Sequence, residues 1–358
     1  MSPSCQQLDP YDTLIQKTLD KFIPLKLDWE ITHRCNLFCS HCYQDRPKSL
    51  NEITTQQAFD ALDQLADLGC LYVTFTGGEI FVREDFLDIA RYARKKHFAI
   101  RLFTNGTLVD EKLADEIASL HPLSVEMSLY GMDPQVHESI TKSPESYQKT
   151  RTAFDLLKAR NVNTVVKCTL MKENIHEFNA LEEFAKSIRS SFVYSLTVIP
   201  KLDGNKEVLN HRLSQQELSA FLDRTPSTTK DITAGGIHDY KPLCSAGINA
   251  IYICPEGEMY PCVALRKSCG NIKEKPIKEI LASPFFKTIR TLEFDDLPEC
   301  KGCSYAHFCD RCPGLALMET GDLYGASPNE CTLAKARKKA VEQREEKDGE
   351  YKKEKVLQ

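Results

Sequence analysis

The sequence predicts an α/β protein in which an incomplete parallel barrel of strand–helix units precedes a smaller, cysteine-rich domain. Three observations predict it. Short apolar runs alternate with helical runs between residues 25 and 199. That rhythm stops near residue 200, where turn-forming residues follow. Nine of the fifteen cysteines then lie beyond residue 240. Strands that alternate with helices favour a parallel sheet with right-handed crossovers.

The elements follow one another in a regular order. The predicted strands are 25–31, 71–76, 99–104, 124–129, 164–171 and 192–199. The predicted helices between them are 55–68, 83–96, 111–120, 146–160 and 175–187. Six units, where a closed TIM barrel has eight, predict a partial, TIM-like (β/α)6 barrel that is open on one side. In barrels the chemistry lies at the carboxyl ends of the strands.

The chain divides into four predicted segments. Residues 1–24 form a short N-terminal leader, and residues 25–235 form the partial barrel. Residues 225–236 are rich in Thr, Ser and Gly, so we place the domain boundary there. Residues 236–335 form the cysteine-rich domain, with a β-hairpin, loops and short helices, and residues 336–358 form a charged C-terminal tail.

Composition excludes several classes of protein. The net charge of −5 offers no basic field to a nucleic acid. No run approaches eighteen apolar residues, and the first twenty residues lack a secretory pattern. We therefore expect a cytoplasmic protein that binds neither nucleic acid nor membrane. Clustered cysteines in that reducing compartment indicate metal binding rather than disulfides.

The first cysteine cluster follows the first predicted strand. Cys35, Cys39 and Cys42 are spaced as Cys-x3-Cys-x2-Cys, with His41 and Tyr43 on either side of the third cysteine. Three thiolates that hold a [4Fe–4S] cluster leave one iron open to a small molecule. Half of a zinc site, or a chance cluster, is the alternative.

Polar and glycine motifs follow the next strands. Gly77, Gly78 and Glu79 come after the second strand, and Asn105 and Ser128 come at the ends of the third and fourth. Two adjacent glycines let a backbone approach a ligand closely, and a carboxylate can accept from an ammonium group. A simple turn is the alternative reading of each.

These motifs together resemble the radical S-adenosylmethionine (SAM) family. The resemblance implies that the three cysteines hold a [4Fe–4S] cluster whose open iron binds SAM. It also implies a cofactor-binding set that consists of His41, Tyr43, Gly77, Gly78, Glu79, Asn105, Ser128 and Lys167. His41 departs from the apolar or aromatic residue usual at its position. Relatives often bind the SAM carboxylate with an arginine near position 140; this chain has none there, and Lys167 is our substitute.

The later cysteines resemble the SPASM extension of some radical SAM enzymes, which carries auxiliary Fe–S clusters. The predicted hairpin contains Gly257, and four residues separate this glycine from Cys262, as in the family pattern. One departure is that two residues, rather than three, separate Cys309 from Cys312. The resemblance implies two auxiliary clusters. The outer one is held by Cys300, Cys303, Cys309 and Cys331, and the inner one by Cys244, Cys262 and Cys312. Cys269 is the candidate fourth inner ligand; an open iron that binds substrate, and a pair of zinc ribbons, are the alternatives.

The resemblance implies an enzyme that reductively cleaves SAM to methionine and a 5′-deoxyadenosyl radical. SPASM relatives mostly modify peptides or proteins, by cross-links, thioethers, epimerisation or side-chain oxidation. We therefore expect a peptide or protein substrate, a flavodoxin- or ferredoxin-type electron donor and a separate peptide-recognition protein as partners. A tetrapyrrole-modifying enzyme is the alternative, and an Fe–S electron carrier or scaffold is the alternative of another class. No catalytic side chain is assigned.

Overall fold

The predicted α/β fold with a parallel, unclosed sheet is confirmed. A computed structural model describes residues 9–44, 51–225 and 243–356. Its strands are β1 Lys26–Thr32, β2 Tyr72–Gly77, β3 Ala99–Thr104, β4 Ser124–Ser128, β5 Thr164–Thr169, β6 Ser191–Ser195, β7 Ala250–Ile253 and β8 Met259–Tyr260. They form one sheet in the order β6-β5-β4-β3-β2-β1-β7-β8.

Helices connect and cover the strands. They are α1 Pro10–Lys21, α2 Thr55–Asp67, α3 Phe86–Lys95, α4 Glu111–Ser119, α5 Pro134–Thr141, α6 Ser146–Ala159, α7 Phe178–Ser187, α8 Gln215–Arg224, α9 Ile277–Ile280, α10 Pro284–Thr291, α11 Pro313–Thr320 and α12 Pro328–Val356. Local chemistry fixes several starts: Thr54 and Gln57 form a capping box on α2, and the Asp110 side chain caps α4.

All six predicted barrel strands are present, with differences at their ends. The fifth and sixth were expected to run to residues 171 and 199, but β5 ends at Thr169 and β6 at Ser195. Residues 197–199 instead leave the sheet and line a cavity. The sequence analysis also missed α5, a helix of eight residues that begins at Pro134 and is capped by Asp133.

The two faces of the sheet differ in chemistry. Leu27, Trp29 and Ile31 are fully buried on the face that packs against helices, where Phe75 contacts Phe86 of α3 edge to face. The opposite, inner face carries polar and charged residues. Asp28, Thr74 and Arg101 are neighbours there, because the strand register pairs Asp28 with Thr74 and Thr74 with Arg101. Charged side chains remain there because the sheet is open, whereas a closed barrel would fill that space with apolar side chains.

The cysteine-rich segment continues the same sheet. β7 pairs parallel with β1, with Asp28 opposite Tyr252, and β8 returns antiparallel as the predicted hairpin. The predicted boundary lies almost wholly in residues 226–242, outside the described part of the chain. The charged tail that we predicted from residue 336 belongs to α12, whose Ala336 and Ala340 are buried beside α8.

Candidate active site

A cavity of about 260 Å³ lies at the carboxyl ends of the barrel strands, where the sequence analysis places the chemistry. Cys35, Cys39 and Cys42 line it, so the loop after β1 brings all three predicted cluster ligands to one site. The predicted cofactor-binding residues that also line it are His41, Tyr43, Gly77, Gly78, Asn105, Ser128 and Lys167. Glu79 is the one member of that predicted set that does not.

The cysteine loop is anchored by α5. The Phe38 and Ser40 amides donate to the last carbonyl groups of that helix, Thr141 O at 3.0 Å and Ile140 O at 2.8 Å. Within the loop, the Leu37 amide points at Cys35 Sγ at 3.4 Å. Amide donors of this kind stabilise a thiolate, which is the form that binds iron. The donor set therefore fits a [4Fe–4S] cluster.

The two glycines are required by a backbone contact. A Cβ atom at Gly77 would lie 2.4 Å from Thr32 O, and one at Gly78 would lie 2.2 Å from Arg34 O. The Gly78 amide donates to Thr32 O at 2.8 Å. We expected these glycines to admit a ligand. In addition, they let β2 close onto the segment that leads into Cys35, and so fix the cysteine loop.

Glu79 is completely buried behind the cavity wall. Its carboxylate accepts hydrogen bonds from Thr104 Oγ1 and the Asn105 amide, both at 2.7 Å, and from the Phe81 amide at 3.2 Å. Burial raises the pKa of Glu79, although these donors oppose the shift. In this arrangement, Glu79 holds the strand end that carries Asn105. Its contact with the methionyl amino group stays a prediction.

Lys167 reaches the cavity as a paired cation. Its Nζ lies 3.2 Å from Glu126 Oε2 and 3.4 Å from the centre of the Phe103 ring. Burial lowers the pKa of Lys167, and Glu126 opposes that shift. An anionic ligand would therefore compete with Glu126 for the ammonium group. Its role towards the SAM carboxylate stays a prediction.

His41 packs edge-on against Tyr130, with ring centres 4.9 Å apart. Burial lowers the pKa of His41 to about 4, so the ring is neutral at physiological pH. A neutral, flat ring supplies what an aromatic residue would supply at that position. His137, from the stretch where we looked for an arginine, is buried and accepts from the Tyr130 amide at 3.2 Å. It holds a turn and does not line the cavity.

The C-terminal cysteines that influence one another's pKa fall into two sets. Burial raises the pKa of Cys312 to about 12, and the nearby thiols of Cys262 and Cys244 add to the shift. Burial also raises the pKa of Cys331, and Cys300 and Cys303 act on it in the same way. In turn, Cys331 is among the groups that raise the pKa of Cys309. The assignment of these groups to inner and outer clusters stays a prediction.

Cys269 and Cys262 both pack against the apolar cluster of Ala246, Leu265, Phe285 and Ile289. The Sγ of Cys269 lies 3.5 Å from Lys267 O, and burial raises its pKa, with Ser283, Glu258 and Lys267 as the next influences. Within the described ranges, no three His, Cys, Asp or Glu side chains converge as the ligands of a single metal ion do.

Sequence reasoning missed several residues around the cavity. His33 lines the cavity and contacts Glu256 of the hairpin turn, with its Nε2 2.8 Å from Oε1. Glu30, at the centre of a buried network, accepts from Tyr43 and from Arg266. The only sequence signal for Glu30 was its charge within an apolar strand, and no local pattern linked it to residue 266.

Comparison with known protein families defines the class. Residues 29–185 match the Radical SAM superfamily, and residues 244–304 match SPASM, an iron–sulfur cluster-binding domain. The chain is thus a radical SAM enzyme with a SPASM domain. The two domains account for Fe–S clusters and SAM as its cofactors, as the sequence predicts.

Two curated relatives illustrate the range of the class. An AdoMet-dependent heme synthase of Methanosarcina barkeri is 24% identical over 334 residues, which cover 85% of this chain and 95% of the relative. The subtilosin biosynthesis protein AlbA of Bacillus subtilis is 26% identical over 302 residues, covering 81% of this chain and 67% of the relative.

Solved structures share the fold. Streptococcus suis SuiB bound to the precursor peptide SuiA superposes with a TM-score of 0.70 at 16% identity, covering 92% of this chain and 84% of SuiB. The enzyme anSMEcpe with bound AdoMet and a peptide superposes with a TM-score of 0.69 at 19% identity, covering 89% and 96%. In the part of the chain that the structure describes, no helix is long and apolar enough to cross a membrane.

Proposed function

We propose that this enzyme cleaves SAM reductively and uses the 5′-deoxyadenosyl radical to modify a ribosomally made peptide or protein. One observation carries the proposal: the cavity lined by Cys35, Cys39 and Cys42 opens onto the polar inner face of an unclosed sheet. When bound there, a low-potential [4Fe–4S] cluster supplies the electron that breaks the SAM sulfonium bond.

The open sheet supports a peptide substrate. Among the described strands, β6 ends the sheet on one side, so an extended chain has a lateral approach to the cavity. Residues that directly follow β6, Thr197 to Ile199, form one cavity wall. AlbA acts in biosynthesis of a bacteriocin, and both structural neighbours were solved with peptides, which supports the same substrate class here.

Residues on the inner face would orient a polar substrate. Lys167 and Glu126 form an ion pair within the cavity, and Asp28 and Arg101 lie further down the same face, exposed to solvent. We place the enzyme in the cytoplasm, because thiolate ligands persist under reducing conditions. A flavodoxin- or ferredoxin-type donor would supply the electrons, and a separate peptide-recognition protein would deliver the substrate.

A tetrapyrrole substrate is the second candidate. The heme synthase of M. barkeri aligns over 95% of its length, whereas AlbA aligns over 67%. The two candidates are separated by anaerobic assays with dithionite and SAM. One assay contains a peptide taken from a short Cys-, Tyr- or Gly-rich open reading frame, which is to be sought next to this gene. The other contains an iron tetrapyrrole that carries carboxylate groups. We expect the peptide to raise 5′-deoxyadenosine formation. The peptide itself should change in mass, or, if it is epimerised, take up deuterium when the assay is run in D2O. The same response to the tetrapyrrole alone would favour the second candidate.

The reaction class has its own test. Replacing Cys35, Cys39 and Cys42 together with alanine should lower the iron content by about four per chain and abolish 5′-deoxyadenosine formation. Replacing Cys70, a buried cysteine away from the cavity, with alanine is the matched control and should retain both. SAM cleavage by the triple variant would refute the assignment of the three cysteines. Absence of 5′-deoxyadenosine formation by the reduced wild-type protein would instead favour an electron carrier or scaffold.

A further inference from the structure

A partly buried arginine links the SPASM domain to the wall of the SAM cavity. Arg266 lies between Cys262 and Cys269, four residues after a predicted inner-cluster ligand. Its Nη2 donates to Glu30 Oε2 and to the Tyr252 hydroxyl, both at 2.8 Å. The guanidinium also lies over two aromatic rings, 5.2 Å from the centre of Tyr252 and 5.5 Å from that of Tyr260. The two hydrogen bonds and the two ring contacts together fix its position.

Glu30 passes this contact on to the cavity wall. It is completely buried, and its second oxygen, Oε1, accepts from Tyr43 Oη at 2.5 Å and from Gln44 Nε2 at 2.9 Å. Tyr43 and Gln44 both line the cavity and directly follow Cys42. One carboxylate therefore joins the loop after Cys262 to the residues after Cys42, although Glu30 and Arg266 lie 236 positions apart in the sequence.

Each end of this network depends on the other. Removing one partner of a buried ion pair is strongly destabilising, because it leaves the other charge buried without compensation. Without Arg266, the buried carboxylate of Glu30 would lose its cation partner, and water drawn to the carboxylate would compete with Tyr43 and Gln44 for its oxygens. Loss of the arginine would therefore loosen Tyr43 and Gln44 in the cavity wall, although Arg266 does not line the cavity itself.

We propose that Arg266 is a positioning residue that, through Glu30, holds Tyr43 and Gln44 in the wall of the SAM cavity. The loop that follows Cys262 thereby sets the affinity of the radical SAM domain for SAM. This inference rests on the proposed SAM chemistry but adds a role for the SPASM domain that is separate from electron transfer.

The test begins with Arg266→Met in the fully reconstituted enzyme. We expect its iron content to match wild type, and its affinity for SAM, measured by equilibrium dialysis, to fall about tenfold. Hydrogen exchange should rise in a peptide covering residues 37–44. Arg266→Lys keeps the charge beside Glu30 and should recover part of the affinity.

Arg290→Met is the matched control. Arg290 is also a partly buried arginine of the SPASM domain, but it donates to backbone carbonyls, Gly247 O at 2.7 Å and Leu281 O at 2.8 Å. Neither Gly247 nor Leu281 lines the cavity, so Arg290→Met should lose stability without losing SAM affinity. Equal losses of affinity in Arg290→Met and Arg266→Met would show a general structural effect and overturn the proposal.

A double-mutant cycle tests the route. Tyr43→Phe removes the hydroxyl that Glu30 holds, while leaving the Arg266–Glu30 pair intact. If Arg266 acts through Glu30 on the cavity wall, the losses in SAM affinity should not add in the double variant. Additive losses, or wild-type affinity in Arg266→Met, would overturn the proposal. Should Arg266→Met lose iron, Arg266→Lys takes its place in the cycle. Failure of wild type itself to bind or cleave SAM would count against the proposed function instead.

Discussion

Two histidines near the cavity show how desolvation decides the chemistry of a side chain. His41 and His137 both have a pKa lowered to about 4, chiefly because burial disfavours the imidazolium form. His41 uses its neutral ring as an aromatic surface in the cavity wall, whereas His137 accepts a backbone hydrogen bond behind it. The residue type alone would have suggested proton transfer at both positions.

His137 makes stability depend on pH. Its folded pKa of about 4 lies below the ordinary value of 6.5, so the unfolded chain takes up the proton first as pH falls. Stability is therefore complete above 6.5 and is lost towards 4. At pH 5.5 the loss is about 1.4 kcal/mol. His137→Gln retains an acceptor but does not titrate. The difference in unfolding temperature between wild type and His137→Gln should shrink from pH 7.5 to 5.5; a constant difference would contradict this.

Glu79→Gln should affect SAM binding rather than cluster assembly. The carboxylate accepts from Thr104 and Asn105 on different oxygens, and an amide group can accept on only one of them. In the variant, the new side-chain NH2 group faces one of these two donors, which loses its acceptor. This costs about 1–3 kcal/mol and loosens Asn105 at the cavity. We expect normal iron content and SAM affinity lowered about tenfold or more, measured by equilibrium dialysis. Unchanged affinity would return this motif to a plain turn.

At the scale of elements, the contact between β2 and the segment after β1 depends on Gly78. Alanine there would place its Cβ 2.2 Å from Arg34 O, and neither backbone can yield without moving the cysteine loop. Gly78→Ala should cost about 1–3 kcal/mol and lower the iron content of the first cluster. Gly204→Ala is the control, because Gly204 has a φ of +86° but no neighbour within 4 Å. It should lose about 1 kcal/mol with iron unchanged. Equal iron content in the two variants would contradict the contact argument.

The sequence predicted the local elements well because their periodicity is local. All six barrel strands were found, since buried runs such as Leu27, Trp29 and Ile31 alternate with polar residues. The attachment of β7 to β1 was not predictable in the same way. Asp28 pairs with Tyr252 across more than two hundred positions, and strand pairing at that separation leaves no local pattern. The eight-residue α5, with its proline start, gave too few turns for a helical period to appear.

At the scale of the whole molecule, the site also contains residues that the sequence predicts and residues that it does not. Cys35, Cys39 and Cys42 could be found because cluster ligands are clustered in sequence, and the strand ends bring Gly77, Asn105 and Ser128 to the same cavity. The residues that hold the cavity wall could not be predicted. Glu30 and Arg266 meet only when the hairpin joins the sheet, and a single charged residue in each segment carries no spacing to recognise.

The division of the auxiliary cysteines yields the last prediction. The thiols of Cys262 and Cys244 raise the pKa of Cys312, whereas the groups that act most on the pKa of Cys269 after burial are Ser283, Glu258 and Lys267. We therefore expect Cys269→Ala to retain full iron content and the electron paramagnetic resonance spectrum of the inner cluster. Cys312→Ala is the comparison and should lose the iron of that cluster, about four per chain.

Retention of iron in Cys269→Ala would leave the inner cluster with three protein thiolates and an iron open to substrate. Adding the peptide substrate should then change the inner-cluster spectrum in both wild type and Cys269→Ala. Loss of inner-cluster iron in Cys269→Ala would instead make Cys269 the fourth ligand.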